Sequence, residues 1–100
     1  MNLHPMKFVT IVCEAYAQDA VTKLLREAGA HGWTSFAVEG DGSQGKRPGD
    51  IREFANVQIE VIVPPDTAEK LLTSLGTDYF PRYAMIAFES DVRVLRPQKF

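Results

Sequence analysis

Between Gly40 and Arg47 the chain reads Gly-Asp-Gly-Ser-Gln-Gly-Lys-Arg, and here its residue types come closest to a chemistry. The spacing Gly40-x-Gly42-x-x-Gly45 matches the letters of a dinucleotide fingerprint, but that device needs a helix opening at the third glycine. Lys46-Arg47-Pro48-Gly49 follows instead, and the dinucleotide reading fails. The physical content of the match survives. Glycines allow backbone N–H groups to turn toward an anion at close range. Ser43 adds a hydroxyl, and Lys46 and Arg47 bring cationic donors within the same turn. Such a set describes a receptor for phosphate or carboxylate. A solvated hairpin loop is the alternative with the same composition.

Other candidate groups are sparser. Arg82, Arg93 and Arg96 are either anion donors or surface arginines. The carboxylate pairs Glu39 with Asp41 and Asp50 with Glu53 suit acid–base work or Mg²⁺, although exposed loop carboxylates are the commoner case. His4 and His31 are the only histidines and Cys13 the only cysteine. Neither a nucleophile–histidine pair nor a zinc site nor an intramolecular disulfide can be built from them, and the single thiol suits a reducing compartment. Tyr16, Tyr79 and Tyr83 fall at element ends, where a hydroxyl can face a cleft. Phe8, Trp33, Phe36, Phe54 and Phe88 fall inside expected strands, as core or interface residues.

The elements that must position these groups are legible from periodicity. Lys7 to Cys13 is a β-branched run of strand length. From Tyr16 to Ala28 the period becomes helical, with Ala17, Ala20, Val21, Leu24, Leu25 and Ala28 on one face and Gly29 as a stop. Gly32 to Glu39 is a second strand. Gly40 to Asp50 holds four of the seven glycines and reads as a mobile loop, of a length that in a compact domain is usually functional. Phe54 to Val63 alternates strictly, with Ala55, Val57, Ile59, Val61 and Val63 against Asn56, Gln58, Glu60 and Ile62. The second face is expected to be either a semi-buried oligomer surface or a solvated one. Asp66 with Glu69 forms a capping-box variant opening a helix that Gly76 closes. Tyr83 to Phe88 is a fourth strand and Val92 to Leu95 a short fifth.

The order is β-α-β, glycine loop, β-α-β, then a short strand. It suits an α+β, ferredoxin-like βαββαβ domain with two helices on one face of an antiparallel sheet. At 100 residues and 45% apolar composition the chain is expected to be one domain over 1–100, with enough core to fold without staples. A net charge of −2 argues against a nucleic-acid grip, as do Asn56, Gln58 and Glu60 where an RNA-binding sheet would carry exposed aromatics. No run approaches the ~18 apolar residues of a membrane span and Met1 to Pro5 has no long apolar region, so a soluble, cytoplasmic protein without membrane insertion is expected.

Gly32-Trp-Thr-Ser, then Val38-Glu-Gly-Asp-Gly-Ser-Gln-Gly45, then Val57-Gln-Ile-Glu-Val-Ile-Val63 resemble the PII signalling proteins in order and spacing, over roughly Lys7 to Arg96. The resemblance implies a homotrimer of ferredoxin-like subunits binding adenine nucleotides in the clefts between them. It also implies a flexible T-loop between the second and third strands, at about 40–53 here. Residue by residue it places Thr34 on the adenine side of the cleft, Gly40 and Gln44 at the T-loop base, and Ile62 against the base. Arg82 matches a phosphate-binding lysine, and Arg93 a phosphate-binding arginine from the neighbouring subunit. Tyr83 and Ala84 match the loop before the fourth strand, and Gly42, Ser43, Lys46 and Arg47 supply the anion-binding turn.

The loop is shorter than a nitrogen-signalling T-loop and has no tyrosine to be uridylylated. Together with Tyr79-Phe80-Pro81-Arg82-Tyr83-Ala84, it is more similar to the PII-like proteins associated with bicarbonate transporters or carboxysomes. The implied function is a non-enzymatic sensor of AMP, ADP, ATP or cyclic AMP with no obligatory cofactor and no metal. The resemblance further implies bicarbonate as a second ligand and a bicarbonate transporter or carboxysome-linked protein as the partner. The alternatives are a ferredoxin-like module of other specificity or a weak nucleotide or acyl-phosphate hydrolase. An acylphosphatase's Gly-x-Val-Gln-Gly-Val loop has no counterpart around Val12 to Tyr16.

Overall fold

The computed structural model describes residues 2–42, 45–46 and 56–100, with the backbone alone described at 41–42 and 45–46. Strand β1 (His4–Glu14) passes through a 3₁₀ turn (Ala15–Ala17) into helix α1 (Gln18–Glu27), and β2 (Thr34–Val38) follows. Two very short strands, β3 (Asp41–Gly42) and β4 (Gly45–Lys46), pair only with each other. Then come β5 (Asn56–Val63), helix α2 (Pro65–Ser74), a π-helical turn (Leu75–Tyr79), β6 (Met85–Val94) and a closing 3₁₀ turn (Pro97–Lys99). The main sheet has the order β2-β5-β1-β6 and is antiparallel throughout. This is the expected ferredoxin-like arrangement, with β1 and β5 in its centre.

Alternation decides where the core forms. Val9, Ile11 and Cys13 of β1 and Ile59, Val61 and Val63 of β5 point to one side and are buried. Val21 and Leu25 of α1 and Ala68, Leu71 and Leu75 from α2 and its continuation cover them. Burying side chains of this size contributes about 1.5–3 kcal/mol each. Helix α1 stops where the sequence says it should: Gly29 takes φ +93 and its N–H reaches the Arg26 carbonyl at 3.0 Å.

The other face of the sheet has no helix on it. The register places Phe36 opposite Gln58, Ile62 opposite Phe8, and Val12 opposite Ile86, with Thr10 opposite Phe88. Ile86 and Phe88 on the β6 edge are 59% and 54% exposed, and Phe36 on the opposite β2 edge is 44% exposed. Gln58 Nε2 donates to Glu60 Oε2 at 3.0 Å on this face. It is a mixed surface with a strong apolar content, more than the solvated side of a sheet requires.

Four expectations need correction. Asp66 does not cap α2. The helix begins at Pro65, Pro64 is the N-cap with extended backbone, and no side-chain cap bond is made. Proline at the first helical position lacks only an N–H that would have no partner there, so Pro65 nucleates the turn and leaves Asp66 inside it, where its charge suits the helix dipole. Gly76 does not end the helix either. The backbone continues through it as a π turn, closed by the Phe80 N–H on the Leu75 carbonyl at 2.8 Å. Leu75 is fully buried and Tyr79 packs on the core, so apolar anchoring on both sides carries the chain past the glycine.

The separate fourth and fifth strands are one strand, β6. The polar run Glu89-Ser-Asp91 that looked like a break pairs with Lys7 to Val9 of β1, and the Lys7 ammonium lies 3.1 Å from Glu89 and 2.5 Å from Asp91. Those contacts push the Lys7 pKa up, Asp91 contributing most. Finally, β2 starts at Thr34 rather than Gly32. Trp33 stands before it, half-buried, with the Arg26 guanidinium 5.2 Å above its ring.

Candidate functional site

The sheet register fixes the relative places of the residues singled out from sequence. Val38, Asn56 and Glu14 form one row at the end of the sheet from which the glycine segment leaves. Gly40 follows β2 there, and Ala84 precedes β6 in the same row, since Met85 pairs with Cys13. Thr34 lies in the Glu60–Thr10–Phe88 row, four residues further along β1. Ile62 sits in the Phe8 row and Arg93 in the Pro5 row. At ~3.3 Å per residue, the nine steps from Glu14 to Pro5 span about 30 Å. Within a single chain these residues are strung along the sheet and do not line one cleft.

The glycine segment takes a definite local form. Asp41 pairs with Lys46 and Gly42 with Gly45 in antiparallel register, so the third glycine lies in a strand rather than at the opening of a helix. Ser43, Gln44 and Arg47 lie outside the described residues, as does most of the expected T-loop at 40–53. A Cβ at Gly40 would sit 3.8 Å from Asn56 Nδ2, an ordinary contact, so the fold of this chain does not itself demand glycine there.

The segment Tyr79–Ala84 is the best-defined part of the candidate site. The π turn aims Tyr79 at α1, where its hydroxyl donates to the Ala20 carbonyl at 3.2 Å. Burial, then the nearby Glu27 carboxylate, raise the Tyr79 pKa, which keeps that donor proton in place. Both Arg82 and Tyr83 donate their N–H groups to the Tyr79 carbonyl at 2.9 Å. The Tyr83 ring rests between Tyr16, at 5.7 Å, and Tyr79, at 6.1 Å, in tilted contacts worth about 0.5–1.5 kcal/mol each. Arg82 is exposed with its guanidinium 5.7 Å from the Tyr83 ring. A cleft of about 540 Å³ opens beside it, lined by Ala20, Thr77, Asp78, Tyr79, Pro81 and Arg82.

Glu14 was missed by sequence reasoning. It ends β1, is 5% exposed, and its carboxylate accepts from the Ala84 N–H at 3.3 Å and from the Tyr16 hydroxyl at 3.4 Å. The one signal was an acidic residue directly after an apolar strand, which reads equally well as the first residue of a turn. Among the described residues no group of three His, Cys, Asp or Glu is arranged to hold a metal ion. No helix among them is long and apolar enough to cross a membrane.

Comparison with known proteins gives these features a context. The family model of nitrogen regulatory protein P-II matches residues 6–99. Among solved structures, a PII-like signalling protein from Thermus thermophilus is 38% identical with a TM-score of 0.87, over 100% of this chain and 99% of that one. The protein CPII from Thiomonas intermedia, bound to ADP and bicarbonate, is 31% identical with a TM-score of 0.89, over 99% of this chain and 97% of that one. The same protein bound to ADP, AMP and bicarbonate aligns with a TM-score of 0.91 at 30% identity, over 99% of this chain and 96% of that one.

Proposed function

Because the chain belongs to the family of nitrogen regulatory protein P-II, we propose that it is a non-enzymatic, cytoplasmic sensor that binds adenine nucleotides, with bicarbonate as a second ligand, between the subunits of a homotrimer. The observation that carries the reading is the likeness over nearly the whole chain to CPII bound to ADP and bicarbonate. Two features of the fold support it. Arg93, in the Pro5 row, stands about nine residues along the sheet from the row where Gly40 leaves it, which supports its coming from a neighbouring copy rather than from the same chain. The helix-free face with Phe36, Ile86 and Phe88 supplies apolar surface for copies to meet.

In this site Thr34 and Ile62 hold the base, and Tyr83 and Ala84 form a wall. Arg82, Arg93, Lys46, Arg47 and the N–H groups around Gly40, Gly42, Ser43 and Gln44 take the phosphates and the second anion. Charge-assisted contacts to the ligand then order the 40–53 segment, which a bicarbonate transporter or carboxysome-linked partner reads. Such a switch requires that the ligand bind one loop state more tightly than the other.

Isothermal calorimetry against AMP, ADP, ATP and cyclic AMP, each with and without bicarbonate, tests this. Binding that strengthens with bicarbonate is expected. Binding indifferent to bicarbonate removes the second ligand and the carbon link, and binding of none of the four overturns the nucleotide reading. Lys46→Ala with Arg47→Ala is expected to weaken binding while leaving the assembly intact, and unchanged affinity removes both residues from the site.

A further inference from the structure

We propose that Glu14 is a positioning residue of this site: its carboxylate fixes the Tyr79–Ala84 segment by accepting the Ala84 N–H. The inference rests on the reading of Arg82, Tyr83 and Ala84 as ligand-binding residues. The geometry behind it is independent of that reading. Ala84 stands one residue before the β1–β6 ladder begins, at Met85 opposite Cys13. Its N–H therefore lies outside the paired part of the ladder, and the side chain of Glu14, in the same row, reaches it at 3.3 Å.

Glu14 is only 5% exposed, and a buried carboxylate is costly unless it is hydrogen-bonded; the Ala84 N–H is one of the donors that meet it. The same carboxylate accepts from Tyr16, whose ring carries Tyr83 at 5.7 Å. The segment is thus tied at both ends, by Tyr79 to the Ala20 carbonyl of α1 and by Ala84 to Glu14 of β1. Arg82 lies in the chain between these two ties. A donor held in place before the ligand arrives loses less entropy on binding, so the anchoring acts on affinity without Glu14 touching the ligand.

Two conservative variants separate reach from charge. Glu14→Asp keeps the charge but draws the carboxylate back by ~1.5 Å, beyond hydrogen-bonding range of Ala84. Glu14→Gln keeps the reach and an acceptor oxygen but loses the charge. With ADP as probe in calorimetry on the full chain, Glu14→Asp is expected to weaken binding about tenfold and Glu14→Gln to stay within about threefold. Amide hydrogen exchange at Ala84 is expected to accelerate in Glu14→Asp and not in Glu14→Gln, while Val9 and Ile11 stay protected in both.

Wild-type affinity in Glu14→Asp, equal losses in the two variants, or an Ala84 exchange rate unaffected by Glu14→Asp overturns the proposal. If Glu14→Asp does not fold, Glu14→Ala, which removes the acceptor altogether, takes its place beside Glu14→Gln: weaker binding and faster Ala84 exchange in Glu14→Ala but not in Glu14→Gln support the anchor, and the same behaviour in both variants overturns it. If the wild type binds no ADP, the nucleotide reading falls by itself, and the Ala84 exchange rates still judge the anchor.

Discussion

Cys13 shows how far a single side chain's behaviour depends on its surroundings. Its thiol is 1% exposed in the core between β1 and the helices, and burial, with Glu14 beside it, pushes the pKa from 9.0 up to about 11. The thiolate is the reacting species, so at pH 8 its fraction falls roughly a hundredfold through the pKa alone. Modification by a thiol reagent is expected to be at least that much slower in the folded protein than in denaturant. Comparable rates would place the thiol at the surface. The raised pKa also fixes the sign of the linked stability. The fold retains a proton that the unfolded chain releases, so stability is expected to decline as pH rises from about 9 through 11. Cys13→Ala removes that part of the decline in urea titrations at each pH. At this scale the sequence showed a lone cysteine and a cation at Arg82, but neither the burial of the one nor the seat of the other.

Elements hold or bend according to what they are packed against, and two glycines make the contrast measurable. Gly29 has φ +93, where a side chain is strained, and Gly29→Ala is expected to cost about 1–2 kcal/mol of stability in urea unfolding. Gly76 lies in the π turn without a positive φ, and an added Cβ would meet nothing within 4 Å. Gly76→Ala is expected to be neutral or to stabilise by up to about 1 kcal/mol, because it narrows the unfolded ensemble. A loss at Gly76 as large as that at Gly29 would mean that the turn itself needs glycine. Leu71→Ala on α2, fully within the core, is expected to cost about 2–5 kcal/mol in the same measurement. Glycine as a helix stop was read correctly at Gly29 and wrongly at Gly76, since the letter is the same and only the anchoring by Leu75 and Tyr79 differs.

For the molecule as a whole, the decisive surface is the helix-free face of the sheet. If copies meet there as proposed, sedimentation equilibrium returns three times the chain mass of 11.2 kDa, and Phe88→Asp shifts it toward one. A charge placed on a desolvated apolar face costs several kcal/mol per copy, which is enough to dissociate a modest interface. A wild type that sediments at the single-chain mass would remove the intersubunit cleft, and with it the explanation for candidate residues spread over ~30 Å of sheet.

By itself the sequence determined the order of the main strands and helices as far as the start of β6, the core faces of β5 and α1, and the family to which the glycine segment and the β5 strand point. All of these rest on local periodicity or local motif, and a period-two or helical pattern survives without knowledge of its partner. Only the tertiary structure decided that Glu89 to Asp91 stays in strand, because the β1 residues it pairs with, Lys7 to Val9, are 80 or more positions away along the chain. Only it brought Glu14 to Ala84, 70 residues apart, and turned Tyr79 toward Ala20, 59 apart. Contacts of that range are set by the sheet register and by how the helices seat on it, and no local spacing encodes either.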